Sequence, residues 1–216
     1  MNPARLLLDL LYPPKCPFCS RVLERGEEGW CASCQENLPW IEPGEGKQTE
    51  GCSSCLSPLW YRDGVRNGMH RYKFGGGRGH AKLFGTLMAQ CLHDRREAPV
   101  DLITWVPLHP KRKKERGYDQ AELLARRVGE LSGLPVSGAL EKTRATAVQS
   151  QTGADEARAA NVQGAYRALP GLDLTGRRVV LIDDVATSGA TLSECAAVLR
   201  QAGADSVVGL TFARAR

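Results

Sequence analysis

The stretch Val179-Val180-Leu181-Ile182-Asp183-Asp184-Val185-Ala186-Thr187-Ser188-Gly189-Ala190-Thr191 sets an apolar strand, an acidic pair and a small hydroxyl-rich loop in one order. The apolar run before Asp183 is short, β-branched and unbroken, as in a strand buried on both faces of a parallel sheet. Residues 192–202 read as a helix. Between strand and helix, Ala186, Thr187, Ser188, Gly189, Ala190 and Thr191 offer hydroxyls and backbone N–H groups at a helix N-terminus, where orphan donors and the macrodipole favour a phosphate. Gly189 permits close backbone approach. Asp183 and Asp184 are no phosphate ligands, but they accept hydrogen bonds from the vicinal hydroxyls of a ribose, directly or through a hydrated Mg²⁺. Together these groups describe a site for a ribose 5-phosphate. An acidic strand end followed by an ordinary helix cap accounts for the hydroxyls. It explains neither the paired carboxylates nor the glycine set among hydroxyl residues.

In composition, order and context these residues resemble the phosphoribosyl pyrophosphate loop of type I phosphoribosyltransferases. The resemblance implies an α/β fold, a parallel sheet flanked by helices, with the ligand beyond the carboxyl ends of its strands.

Working outward, residues 101–108 read as a second strand through Ile103, Trp105 and Val106. Ligands in open α/β sheets gather at strand carboxyl ends, so the turn Leu108-His109-Pro110-Lys111-Arg112 faces the same side as Asp183. Lys111, Arg112, Lys113, Lys114 and Arg116 make this region strongly basic, fit either to neutralise pyrophosphate or to meet DNA phosphates. Residues 118–131 read as the next helix. Upstream, residues 61–74 suggest strand or hairpin, ending in Tyr72-Lys73-Phe74 and a glycine run, and residues 80–91 show helical spacing through Leu83 and Leu87. Residues 143–166 are polar and poor in large apolar side chains, which predicts a mobile arm.

Six of the eight cysteines fall in three C-x-x-C pairs between Cys16 and Cys55. In a reducing compartment that spacing means metal before disulfide. Cys16, Cys19, Cys31 and Cys34 supply four thiolates from two turns, the closed tetrahedral set of a structural Zn²⁺. A second assignment stays open, in which Cys52 and Cys55 partner one earlier pair in place of the other. A redox role would need a βαβ context that is missing around the pairs. Residues 39–51 read as a linker or long turn, and Cys91 and Cys195 as small core residues within helical apolar patterns.

With Arg116-Gly117-Tyr118-Asp119-Gln120 at mid-chain, these motifs make the chain similar to the ComF family from about residue 8 to residue 214. The resemblance implies an N-terminal helix and zinc ribbon over residues 1–58, its second ribbon degenerate because no fourth pair follows Cys55. A phosphoribosyltransferase-like domain would occupy residues 59–216. Also implied are a structural zinc, phosphoribosyl pyrophosphate with Mg²⁺ as ligand, and a role in DNA uptake during natural competence. Single-stranded DNA and other competence proteins would be the partners. Within the site, Asp183 and Asp184 would orient the ribose and Ala186, Thr187, Ser188, Gly189, Ala190 and Thr191 would anchor the 5-phosphate. Leu108, Lys111 and Arg112 correspond to the pyrophosphate loop, and Lys73 to a further pyrophosphate ligand; a flexible glycine connection is the competing reading of Lys73 and its neighbours. Arg158 and Asn161 match an Arg-x-x-Asn pattern. The family signature at mid-chain is usually Arg-Gly-Phe-Asn-Gln, from which Tyr118 and Asp119 depart conservatively.

If the chain is an enzyme, pyrophosphate leaves through a transition state with oxocarbenium character at C1 of the ribose, and cationic groups stabilise the growing charge. No motif selects an acceptor base, and the fold also serves binding without transfer. The alternative is a phosphoribosyltransferase of nucleotide salvage or metabolism without a DNA role, for which a zinc ribbon is unusual. At 216 residues, 42% hydrophobic and 25% charged, the chain suits one medium α/β domain with a small appendage. A net charge of +5 suits phosphate-rich ligands but falls short of a dedicated DNA-binding arm. No apolar run reaches the length of a membrane span, and residues 6–11, broken by Asp9, make no signal peptide. The expectation is a cytoplasmic protein.

Overall fold

The computed structural model describes residues 13–45, 48–145 and 160–216. Its elements run in chain order α1 Ala32–Asn37, β1 Ser54–Leu56, β2 Leu59–Trp60, α2 Asp63–Phe74, α3 Ala81–Arg95, β3 Leu102–Trp105, α4 Pro110–Arg116, α5 Gln120–Ser132, β4 Leu140–Lys142, β5 Tyr166–Ala168, β6 Arg178–Ala186, α6 Ala190–Gln201 and β7 Ser206–Arg214. Five strands form a parallel sheet in the order β1-β7-β6-β3, with β2 beside β7. A separate antiparallel pair joins β4 to β5.

Burial follows from the strand sequence. Val179, Val180, Leu181 and Ile182 are all fully buried because successive side chains enter opposite layers. Val180 and Ile182 pack with Phe84, Met88, Leu124 and Val128 of α3 and α5. Val179 and Leu181 pack with Leu192, Cys195, Ala196 and Leu199 of α6. The result is a three-layer α/β/α sandwich around β6 and β7. Cys91 and Cys195 are buried helical residues, as their patterns predict.

Three local expectations are corrected. Residues 61–74 form no hairpin: only Leu59–Trp60 is strand, and α2 follows. Val65, Met69 and Tyr72 recur at helical spacing and face the core, and Gly64 and Gly68 lie inside the helix. The region from Leu108 to Arg112 is not wholly a turn, because Pro110 opens α4 with His109 as its cap. Strand β3 ends at Trp105, ahead of Pro107, and β6 runs on through the acidic pair to Ala186. The Leu-rich segment at residues 6–11, Arg158 and most of the arm expected over residues 143–166 lie outside the described residues.

The ribbon is built into the main core. Phe18, between Cys16 and Cys19, is 1% exposed, with its ring 5.7 Å from Phe84 and 6.4 Å from Phe212. Arg71 of α2 donates from Nε to the Pro17 carbonyl at 3.1 Å and from Nη2 to that of Phe18 at 2.9 Å. Residues 54–56, within the stretch read as ribbon, form β1 and pair with β7 through Ser54 opposite Val208.

Candidate functional site

Asp183 and Asp184 sit at the carboxyl end of β6, and residues 187–189 connect them to α6. Gly189 caps that helix at φ +83, a conformation glycine adopts without steric cost. Thr187 and Ser188 are exposed beside it. The Asp184 N–H donates to Asp183 Oδ1 at 2.8 Å, which folds the first carboxylate back against the strand. Burial, then the neighbouring charge of Asp184, push the Asp183 carboxyl up to about 7.

Lys73, in the last turn of α2, brings a cation to the pair. Its Nζ lies 2.7 Å from Asp184 Oδ1, both side chains being largely shielded from solvent. Burial works against the Lys73 ammonium, yet Asp184 holds its pKa above the ordinary lysine value. Lys73 therefore stands on the acidic pair, and residues 75–77 form the glycine connection from α2 toward α3.

The mid-chain motif clamps this arrangement. Asp119 caps α5, its Oδ1 accepting from the N–H groups of Ala121 at 3.1 Å and Glu122 at 3.3 Å. Its Oδ2 accepts from Leu108 N–H at 2.8 Å and so fixes the loop that precedes α4. Tyr118 donates its hydroxyl to the Tyr72 carbonyl, and Tyr72 donates its own to the Gln120 carbonyl at 2.8 Å. Arg116 donates to Gln120 Oε1 at 2.8 Å and lies over the ring of Phe74, 4.7 Å from its centroid. Gln120 is thus buried and positional, while Phe74 is 63% exposed.

Lys111 and Arg112 occupy the first turn of α4, and Lys113 pairs with Glu122 at 2.9 Å, so part of the basic run is already neutralised. Lys142 of β4 and Tyr166 of β5 are site residues that sequence reasoning misses. Lys142 Nζ donates to the Tyr166 hydroxyl at 2.9 Å. Burial and then Arg112 lower the Lys142 pKa, while Asp183 favours its charge. Only the pairing of two short strands on either side of the arm brings them there. Thr49, also missed, is buried against the loop that leads into α6: a Cβ on Gly189 would stand 3.1 Å from its Oγ1.

The ligand atoms of Cys16, Cys19, Cys31 and Cys34 all lie within 4.8 Å of one another. The Sγ atoms of Cys19 and Cys31 are 3.6 Å apart. Zn–S bonds of about 2.3 Å in a tetrahedron require sulfurs about 3.8 Å apart, so the set fits the ion. Burial opposes the Cys31 thiolate, but the Cys34 N–H and the neighbouring thiols bring it down to about 7. Cys52 and Cys55 stand away from this group, against Gly209 of β7, and burial pushes Cys52 up to about 12.

Residues 7–65 match the double zinc ribbon domain family and residues 114–215 the phosphoribosyl transferase domain family. The protein is a zinc-ribbon protein with a phosphoribosyl transferase domain. Over 212 residues it is 31% identical to "DNA utilization protein YhgH" of Escherichia coli (strain K12), covering 89% of this chain and 86% of that protein. Over 223 residues it is 26% identical to "Competence protein F" of Haemophilus influenzae, covering 93% and 97%. The chain belongs to the ComF family. Among solved structures, an allosteric regulatory enzyme of purine biosynthesis aligns with 66% of this chain and 29% of its own, at 22% identity and a TM-score of 0.44.

Proposed function

We propose that the protein acts in the uptake and use of DNA during natural competence, through a site that binds phosphoribosyl pyrophosphate with Mg²⁺. The observation that carries this reading is the convergence of Asp183, Asp184 and Lys73 at the strand end that leads into the phosphate loop. A neutral ligand gives no reason to hold two carboxylates, one pushed up to about 7, beside a helix N-terminus. A ribose phosphate gives one: hydroxyls and a hydrated cation meet the carboxylates, and the phosphate meets the N–H groups and hydroxyls of residues 187–191.

The donor set fits Mg²⁺, a hard cation that prefers carboxylate and water oxygens. When bound with the diphosphate, the ion supplies neutralisation of charge on the leaving group. Asp183 and Asp184 orient the ribose, and the loop anchors the 5-phosphate so that remote binding aligns C1. Lys142, which feels the charges of both Asp183 and Arg112, adds positive charge near the pair. The relatives named for competence and DNA utilization support the cellular role, and exposed Phe74 beside Arg116 and the basic α4 suits a single strand.

Calorimetric titration of the zinc-loaded chain tests both halves of the proposal. Phosphoribosyl pyrophosphate with Mg²⁺ is expected to bind the native chain and to lose at least about tenfold in affinity with Asp183→Asn/Asp184→Asn. A single-stranded oligonucleotide is expected to bind both, with affinity falling as salt rises. Oligonucleotide binding alone would mean that the fold is a DNA-handling scaffold without a ribose-phosphate ligand.

A further inference from the structure

A groove between the edge strand β1 and the end of α3 holds charge that the ribose-phosphate site does not use. Arg214, the last residue of β7, is only 4% exposed, yet no carboxylate among the described residues pairs with it. Its hydrogen bond to the protein runs from Nη1 to the Cys55 carbonyl at 3.4 Å, and its buried Nε has no partner. Arg95, at the end of α3, reaches the same segment: Nη1 donates to the Ser57 carbonyl at 3.5 Å and Nη2 to the Ile41 carbonyl. The two guanidinium groups thus stand on carbonyls two residues apart, Cys55 within β1 and Ser57 just past its end. Both line a groove of about 440 Å³. For Arg214, one long hydrogen bond to a neutral carbonyl is weak compensation for a guanidinium taken out of water; buried charges are normally paired.

We propose that this groove binds a compact oxyanion, a phosphate or carboxylate group carried on a small molecule, held between Arg95 and Arg214. The planar fork of arginine suits such a group, and both residues present it from rigid secondary structure. Glu45, Asp94 and Glu97 lie at the same groove. Their charges repel a polyanionic strand, with one phosphate per nucleotide, far more than a single anionic head seated on the two arginines. Gln90 Nε2 donates to Asp94 at 2.8 Å, which turns that carboxylate along α3.

The position of the groove also links it to the loop on the far side of β7. The Arg214 carbonyl accepts from Tyr61 N–H at 2.7 Å, and the next residue, Ala215, donates its N–H to the Ala186 carbonyl at 2.8 Å. Ala186 begins the phosphate loop. An anion on Arg214 therefore fastens the strand end against which that loop is built. The inference stands on the arginines alone and does not need the ribose-phosphate reading.

Crystals of the zinc-loaded full chain soaked in low-millimolar selenate test the proposal, because the anomalous signal of selenium locates the oxyanion. The expected result is a peak between the Arg95 and Arg214 guanidinium groups, present in the native chain and equally in Asp183→Asn/Asp184→Asn. In solution, sulfate affinity at this site should fall about tenfold in Arg95→Gln, which alters a half-exposed side chain, and in Arg214→Lys, which keeps the charge but removes the fork. Ordered arginines with no selenate between them would overturn it. So would selenate scattered on surface lysines, an adventitious ion only, or sulfate affinity unchanged in both variants.

Discussion

Asp119 ties two elements together with one carboxylate. Oδ1 caps α5 and Oδ2 holds Leu108, so an asparagine, the usual residue of the family signature, could accept through only one of its two terminal atoms. Asp119→Asn is expected to cost about 1 kcal/mol in urea unfolding and to speed hydrogen exchange at the Leu108 amide. Unchanged exchange there would show that the loop is held by something else. Asp183 makes a prediction of opposite sign. Its folded carboxyl titrates near 7 against an ordinary value of 3.8, so the folded state binds the proton more tightly than the unfolded state. That contribution is complete below about pH 4 and is lost as pH rises through 7. Asp183→Asn should therefore stabilise the protein by roughly 1–3 kcal/mol at pH 8 and have little effect near pH 4, which thermal unfolding at the two pH values will show. The acidic pair was readable in the sequence because its chemistry demands adjacency along one strand. Lys142, Tyr166 and Thr49 were not, because they meet the site only through tertiary contacts and carry no local spacing that marks them.

At the scale of elements, the sheet was legible and the first long helix was not. β6 announced itself by an unbroken apolar run, and α6 by the loop before it. α2 was read as strand or hairpin; within it, Gly64 and Gly68 are points of close approach to the zinc knuckle. A Cβ on Gly68 would meet the Pro17 carbonyl oxygen at 3.1 Å and Phe18 Cδ1 at 3.2 Å. Helix propensity alone would make Gly68→Ala stabilising by about 1 kcal/mol. The packing predicts the reverse, a loss of about 1–3 kcal/mol, because backbone and a buried ring must both shift. Denaturant unfolding of this variant decides the sign, and a more stable protein would refute the tight seating of the knuckle on α2. The basic run before the motif was likewise visible as charge but not as structure, since a proline at the first position of a helix reads locally like a turn.

Across the whole molecule, the ribbon and the sheet share one core. Cys16, Phe18 and Cys31 are buried with Phe84, Leu210 and Phe212, so the metal site cannot come apart without exposing that cluster. Removal of zinc by a chelator is expected to lower the melting temperature of the entire chain in one transition, seen alike by far-ultraviolet dichroism and tryptophan fluorescence. Two separate transitions would mean that the ribbon folds independently. The same docking carries residues 49–51 onto the start of α6, where Thr49 packs on Gly189. The sequence showed two modules in order, but the way one closes over the site of the other is a property of the assembled chain. On the function we propose, this assembly presents residues 187–191 to a 5-phosphate. Phosphorus NMR of phosphoribosyl pyrophosphate with Mg²⁺ tests it most directly. The 5-phosphate resonance is expected to shift and broaden on addition of the zinc-loaded chain, and Thr187→Val/Thr191→Val to abolish the change. A 5-phosphate line indifferent to the native chain, or equally perturbed by the variant, would contradict it.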